Sequence, residues 1–168
     1  MAIKVVALDI YGTVLDIEDY DYSCPPRKGF AEFLDNCEQR RIKVVTSSDA
    51  YTGNVRNDLS AAFKVAIRRI ASSKERRIMR KRLNLERFDG FFQLDQGIKD
   101  FSIIIGHYDI VSKELLVIGD NPNKDIIGAL RLGAFAIQCP AYSGKEGVDW
   151  DFSKIDLDSI KQLFWKED

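Results

Sequence analysis

Asp9-Ile10-Tyr11-Gly12-Thr13, Thr46-Ser47-Ser48-Asp49, Lys99 and Gly119-Asp120-Asn121-Pro122-Asn123-Lys124-Asp125 are the stretches of this sequence that could do chemistry together. They offer the carboxylates Asp9, Asp120 and Asp125, a lysine and small hydroxyl residues. Carboxylates gathered in a crevice repel one another and rise in pKa unless a cation is present. The donors are all oxygen, with neither a thiolate nor a convergent histidine, and such a set suits a hard ion, Mg2+ before others. Metal and lysine together would hold a dianionic group such as a phosphoryl, and Asp9, as an aspartate ionised at neutral pH, is placed to attack it. The loop amides after Asp9 and after Thr46 would hold the equatorial oxygens. Taken singly, each stretch has an ordinary reading: Asp and Gly punctuate turns, Asp49 and Asp125 could cap helices, and a lone Lys99 could be a surface residue. Their order along the chain, each following a strand, is what argues for chemistry.

The elements that must position them can be read from apolar spacing. Ile3 to Leu8 is a nearly continuous apolar run closing on Asp9, as in a strand buried on both faces. After a polar loop from Asp16 to Cys24, Pro25-Pro26 precedes a helix with Phe30, Phe33, Leu34 and Cys37 on one stripe. Ile42 to Thr46 is a second strand. Val55, Leu59, Ala62, Ala66 and Ile70 follow helical spacing, and Ser72 with Glu75 opens a further helix carrying Ile78, Met79 and Leu83. Gly90 to Leu94 reads as a strand, Phe101 to Tyr108 as a helix, Leu115 to Ile118 as a strand, Ile126 to Leu132 as a helix ended by Gly133, and Phe135 to Gln138 as a fifth strand. Leu157, Ile160, Leu163 and Phe164 suggest a closing helix. Strands alternating with helices predict an α/β fold: a Rossmann-like, doubly wound parallel sheet in three layers, formed as one domain over residues 1–168. In such a sheet the ligand crevice lies beyond the carboxyl ends of the strands, where the four stretches stand.

Composition narrows the class. The chain has 168 residues, 45% hydrophobic and 30% charged, which suits a single folded core and excludes disorder or a coiled coil. No window approaches 18 consecutive apolar residues, so no membrane span is expected, and the run before Asp9 is too short for a signal peptide. Cys24, Cys37 and Cys139 form neither a disulfide framework nor a zinc site, and the expected compartment is reducing and cytoplasmic. Residues 56–87 hold 11 Lys/Arg and 3 acids, a charge of +8 against −9 for the rest of the chain. This reads as the solvated face of two helices or as a surface for nucleic acid or another anionic partner. The single histidine, His107, and the tryptophans Trp150 and Trp165 read as structural.

With those residues in view, the sequence resembles the haloacid dehalogenase superfamily of hydrolases over essentially its whole length. The pattern D-x-D-x-T corresponds to Asp9–Thr13, the Thr or Ser after strand 2 to Thr46, the lysine to Lys99, and G-D-x-x-x-x-D to Asp120 and Asp125. The resemblance implies Asp9 as a nucleophile forming an aspartyl intermediate. It implies Mg2+ on Asp9, the carbonyl of Tyr11 and Asp120, with Asp125 near or in the shell. It implies Thr46 and Lys99 holding the phosphoryl group, with Gly12, Thr13 and Ser47 around it. The substrate is then a phosphorylated molecule.

The sequence departs from the superfamily pattern at one position. Tyr11 stands where phosphatases of this family carry a second Asp as general acid and base. Asp-x-Tyr-Gly-Thr is instead the pattern of metal-free 2-haloacid dehalogenases. Those insert a helical cap after the first motif, whereas 36 residues separate Asp9 from Thr46 here. They also lack paired acids like Asp120 and Asp125. A phenol stays protonated at neutral pH, so Tyr11 could donate to a leaving oxygen but is a poor base. Slow hydrolysis of the intermediate is expected, or a preference for good leaving groups, or another base such as Asp16, Asp49 or His107. The 52 residues between Thr46 and Lys99 are accounted for by helices and a strand, leaving no large cap. An open crevice excludes water poorly, which points to a macromolecular substrate or a second copy of the chain covering the site. Two further readings stand beside the phosphohydrolase: a catalytically weak binding or scaffold protein with a basic surface over 56–87, and the metal-free dehalogenase.

Overall fold

The computed structural model describes residues 2–19, 22–143 and 150–160. Its strands are β1 (Val5–Leu8), β2 (Lys43–Ser48), β3 (Gly90–Gln93), β4 (Leu115–Gly119) and β5 (Phe135–Gln138). They form one sheet of five strands in the order β3-β2-β1-β4-β5, every pairing parallel. The helices are α1 (Phe30–Gln39), α2 (Thr52–Arg68), α3 (Ser73–Arg82), α4 (Ser102–Tyr108) and α5 (Ile127–Arg131). The α/β, Rossmann-like arrangement agrees with the alternation in the sequence.

The strands are apolar throughout because both sheet faces are covered. Val6, Leu8, Val44, Leu116 and Ile118 point into one core with Phe30, Phe33 and Leu34 of α1 and Leu59 and Phe63 of α2. Val5, Ala7, Val45, Leu115 and Val117 point into the other, against Phe101, Ile104 of α4 and Ala129 of α5. The first core is centred on Phe30, whose ring meets those of Phe33, Phe63 and Phe88 at 6.2–6.3 Å and Phe152 edge-on at 5.2 Å. Offset and edge-on pairs of this kind fix a single packing better than aliphatic contact alone.

Register decides where the chemistry can be. Leu8 lies beside Thr46 of β2 and Ile118 of β4; β4 runs one residue further and β2 two, so Asp9, Ser48–Asp49 and Asp120 come to the same edge of the sheet. Between Asp9 and Thr46 the described residues contain a single helix, α1, and no separate cap.

The basic segment turns out to be only partly a free surface. Arg82 and Arg87 reach α1 to pair with Asp35 at 2.8 and 3.0 Å, and Arg56 lies over the Phe91 ring. Ser72 caps α3 as expected, accepting from the Glu75 N–H at 3.3 Å, while Ile78 of α3 is exposed. Among the described residues, no helix is long and apolar enough to cross a membrane.

The expected closing helix is not found in its described part. Residues Phe152–Lys154 form a 3-10 turn capped by Asp151, and the chain to Ile160 is not helical. Asp156 accepts from the Asp158 N–H at 3.0 Å in an Asx turn, an alternative to the helical ladder. Leu163, Phe164 and Trp165 lie outside the described residues.

Candidate active site

The N–H of Asp9 donates to the Ile118 carbonyl at 2.9 Å, tying the first residue past β1 to β4. The chain then folds back tightly: the N–H groups of Thr13, Val14 and Leu15 converge on the Ile10 carbonyl at 2.9–3.2 Å. Gly12 sits in the left-handed region with φ +85°, and a Cβ there would run into the Asp120 carboxyl, so this turn requires glycine. The turn delivers the Thr13 hydroxyl to 3.1 Å from Asp9 Oδ2 and 3.2 Å from Asp120 Oδ1. With one proton, that hydroxyl serves one carboxylate at a time.

Lys99 comes from the loop after β3. Its N–H donates to the Lys124 carbonyl at 3.2 Å, and a Cβ on Gly128 of α5 would strike the Lys99 carbonyl, so both contacts press this loop against the one after β4. The ammonium lies 2.9 Å from Asp9 Oδ1 and 2.6 Å from Asp125 Oδ1, with its side chain 2% exposed. Burial alone would lower the Lys99 pKa, but the charges of Asp9 and Asp125 outweigh it and hold it above its usual value.

One oxygen from each of Asp9, Asp120 and Asp125 falls within 4.8 Å of the others. Burial, then the contact with Asp9, pushes Asp120 up to about 8. Burial and the Asp9 charge push Asp125 up to about 6, against the pull of Lys99. Three carboxylates therefore share one buried ammonium, which pairs directly with Asp9 and Asp125 but not with Asp120. An all-oxygen donor set with an excess of negative charge fits a divalent hard cation. Asp125 is no helix cap. That role falls to Asn121, whose side chain accepts from the N–H groups of Asn123 and Lys124 at 2.9 and 3.2 Å over a π turn, Pro122–Ile126.

Tyr11 keeps its main chain in this turn, but its phenol turns toward α2 and donates to Asp58. Burial first, then that hydrogen bond and the Asp58 charge, holds the phenol well above its usual range. It is a donor at neutral pH and not a base.

At the end of β2, Thr46 and Ser47 are 1% and 0% exposed, and neither hydroxyl has a hydrogen-bond partner among the described residues. The crevice over Asp9, a cavity of about 190 Å3, is lined on that side by Ser48 and Asp49 and on the other by Asp120, Asn121 and Lys124. Asp49 pairs with Lys124 at 3.3 Å. Of the other candidate bases, Asp16 lies in the neighbouring cavity, and His107 packs on α4 against the rings of Tyr108 and Phe92 at 4.7 and 5.3 Å. Trp150 packs edge-on against Phe152 at 4.7 Å, beneath the Arg27 guanidinium. Burial pushes the thiols of Cys37 and Cys139 up to about 12, which removes both as nucleophiles. Asp58, which holds Tyr11 from the neighbouring cavity, did not stand out in the sequence. A single acid within a basic helix gives no sign of which residue it will face.

No family model matches the sequence, and no curated protein matches it. The structure is similar to that of NagD from E. coli K-12, with TM-score 0.57 and 14% identity over 94% of this chain and 100% of that one. It is similar to the N-terminal part of BF1531 from Bacteroides fragilis, which contains a phosphatase domain and is complexed with Mg (TM-score 0.57, 17% identity, 83% of this chain and 36% of that one). A haloacid dehalogenase-like family hydrolase from Xanthomonas campestris gives TM-score 0.57 at 11% identity, covering 83% and 82%. The chain thus has the fold of haloacid dehalogenase-like hydrolases.

Proposed function

We propose that this protein is a magnesium-dependent phosphohydrolase or phosphotransferase of the haloacid dehalogenase type, working through an aspartyl phosphate on Asp9. The observation that carries this reading is the buried cluster in which Lys99 bridges Asp9 and Asp125 while Asp120 stands within 4.8 Å of both. The coarser ground is the shared fold; the finer ground is the motif order, Asp9–Thr13, Thr46, Lys99 and Asp120 with Asp125.

Asp9, Asp120 and Asp125 with the Tyr11 carbonyl would hold the metal, which, when bound, offsets the charge that keeps an anion from a carboxylate cluster. Asp9 Oδ1 is held by Lys99, and the Thr13 hydroxyl is within reach of Oδ2, so the carboxylate is fixed in orientation. Attack by Asp9 on the phosphoryl group breaks the bond to the leaving oxygen and forms the aspartyl phosphate. Lys99 would steady the phosphoryl oxygens beside the Gly12 and Thr13 turn. The motif order gives Thr46 and Ser47 the same part, and their hydroxyls are unpaired, but on that side it is Ser48 and Asp49 that line the crevice. Hydrolysis of the intermediate then needs a base. Tyr11 donates to Asp58 and cannot serve, so this second step is slow, or the phosphoryl passes to an acceptor better than water.

The crevice is open, and a macromolecular substrate or a second copy of this chain would exclude water from it. The commitment of Tyr11 to Asp58 also favours a second reading, a protein that binds a phosphorylated partner with little turnover. The dehalogenase reading is weaker, because Asp120 and Asp125 would repel a haloacid's carboxylate. The test is hydrolysis of a generic aryl phosphate with and without Mg2+, in the wild type and in Asp9→Asn. Release that needs both Mg2+ and Asp9 supports the proposal; metal-independent release, or none, removes it.

A further inference from the structure

Three cavities share lining residues in series, from the Asp9 crevice to α2. The Asp9 crevice shares Tyr11 and Ile17 with a second cavity of about 200 Å3, and that one shares Tyr22 with a groove of about 230 Å3. The second cavity has the aromatic residues Tyr11 and Tyr22 with the carboxylates Asp16, Asp19 and Asp58 in its lining, Asp19 being engaged by the N–H groups of Ser23 and Cys24. Asp58 accepts from Tyr11 and also faces the Tyr22 phenol. The groove beyond is lined by Asn57, Ser60, Lys64 and Arg68.

The charges alternate along this track. At the Asp9 end, on the phosphohydrolase reading, an anion would be held by Lys99 beside a metal on the three carboxylates. In the middle, carboxylates and phenol rings exclude an anion but suit a flat, neutral group bearing N–H or O–H donors. At the far end, Lys64 and Arg68 are exposed cations. The structure consumes other cations of the basic segment internally: Arg82 and Arg87 on Asp35, Arg56 on Phe91, Arg69 on the Ser23 carbonyl and Arg76 on the Ile70 and Ala71 carbonyls. Lys64 and Arg68 have no acidic partner among the described residues; Lys74, Arg77, Arg80 and Lys81 of α3 have none either, but they do not line the groove. At a helical rise of 1.5 Å per residue, Lys64 and Arg68 stand about 9 and about 15 Å along α2 from Asp58.

We propose that the substrate of this site is the phosphate-bearing end of a short single-stranded oligonucleotide, its terminal phosphoryl at Asp9, its first nucleoside between Tyr11 and Tyr22, and the following backbone phosphates at Lys64 and Arg68. A nucleoside matches the middle cavity in both respects, offering a π-face to the rings and amino or hydroxyl donors to the carboxylates. An acidic phosphopeptide has anionic groups for the two ends but a backbone without the ring. This inference rests on the phosphohydrolase reading and adds the leaving group to it.

The test is binding of a trinucleotide ending in a non-hydrolysable phosphonate, with 5′ and 3′ versions, compared with the matching mononucleotide on the wild-type protein with Mg2+. The trinucleotide is expected to bind at least tenfold more tightly from one end, with a logarithmic salt slope steeper than the mononucleotide's by about 1.4, the value for about two further phosphate contacts on a single strand. In Lys64→Ala/Arg68→Ala, checked for an unchanged melting temperature, that advantage and that excess slope should vanish. Equal binding of the two ligands, an advantage that survives the double substitution, or tighter binding of an acidic phosphopeptide would each overturn the proposal. Aryl phosphate hydrolysis by the wild type reports separately on the phosphohydrolase reading, so the two can fail independently.

Discussion

The phenol of Tyr11 donates its hydrogen bond to Asp58, 47 residues away on α2, and not to anything in the Asp9 crevice. That single contact turns the residue two positions after Asp9, the proposed nucleophile, away from proton chemistry in the crevice, and it ties the turn after β1 to the helix that carries the basic groove.

Replacing the phenol alone would set a new carboxylate against Asp58. The informative variant is therefore Tyr11→Asp combined with Asp58→Asn, in which the introduced carboxylate can face the crevice. Turnover of a generic aryl phosphate should rise at least about tenfold, toward the 10²–10⁴-fold that a positioned acid or base supplies. Steady-state kinetics that show no gain, with Mg2+ bound, would remove Tyr11 as the limitation.

Asp120 and Asp125 are raised to about 8 and about 6 by burial and by Asp9. Between about pH 4 and 8 the folded protein therefore holds more protons than the unfolded chain, and its stability falls as pH rises. Melting temperature in a chelator should drop from pH 5 to pH 8, and Mg2+ should restore it at pH 8, with proton release on binding. A melting curve that is flat in pH, or indifferent to Mg2+, contradicts the cluster as described.

Lys99→Met leaves Asp9 and Asp125 without their cation. Loss of one partner from a buried pair costs about 3–5 kcal/mol. The loss should be larger at pH 8 than at pH 5, where Asp125 can take up a proton, and denaturant titrations at the two pH values measure the difference.

Gly12→Ala puts a side chain in a left-handed turn and against the Asp120 carboxyl. Mg2+ affinity measured by calorimetry should fall by more than tenfold while the fold persists, since the damage is confined to the turn. Unchanged affinity would separate Gly12 from the metal site.

Much of this architecture is visible in the amino-acid order. Val5–Leu8 and Leu115–Ile118 read as buried strands because apolar residues on both faces have one explanation, helices above and below. Their ends then place Asp9 and Asp120 side by side. Asp58 is invisible at that stage, because its facing depends on how α2 crosses the loop after β1, a tertiary angle with no local signature. The same is true of the π turn that aims Asp125 at Lys99. Leu157 and Ile160 have helical spacing, but the Asx turn at Asp156 and the pairing of Arg40 with Asp158 at 2.9 Å satisfy that backbone and side chain in another way.

The most direct measurement is the intact mass of the protein after brief reaction with an aryl phosphate and Mg2+ followed by an acid quench, with peptide mapping of the product. The account predicts a gain of one phosphoryl group located on Asp9, absent in Asp9→Asn and absent in chelator. Substrate turnover without any phosphoryl on Asp9, or a phosphoryl carried by another residue, would contradict it.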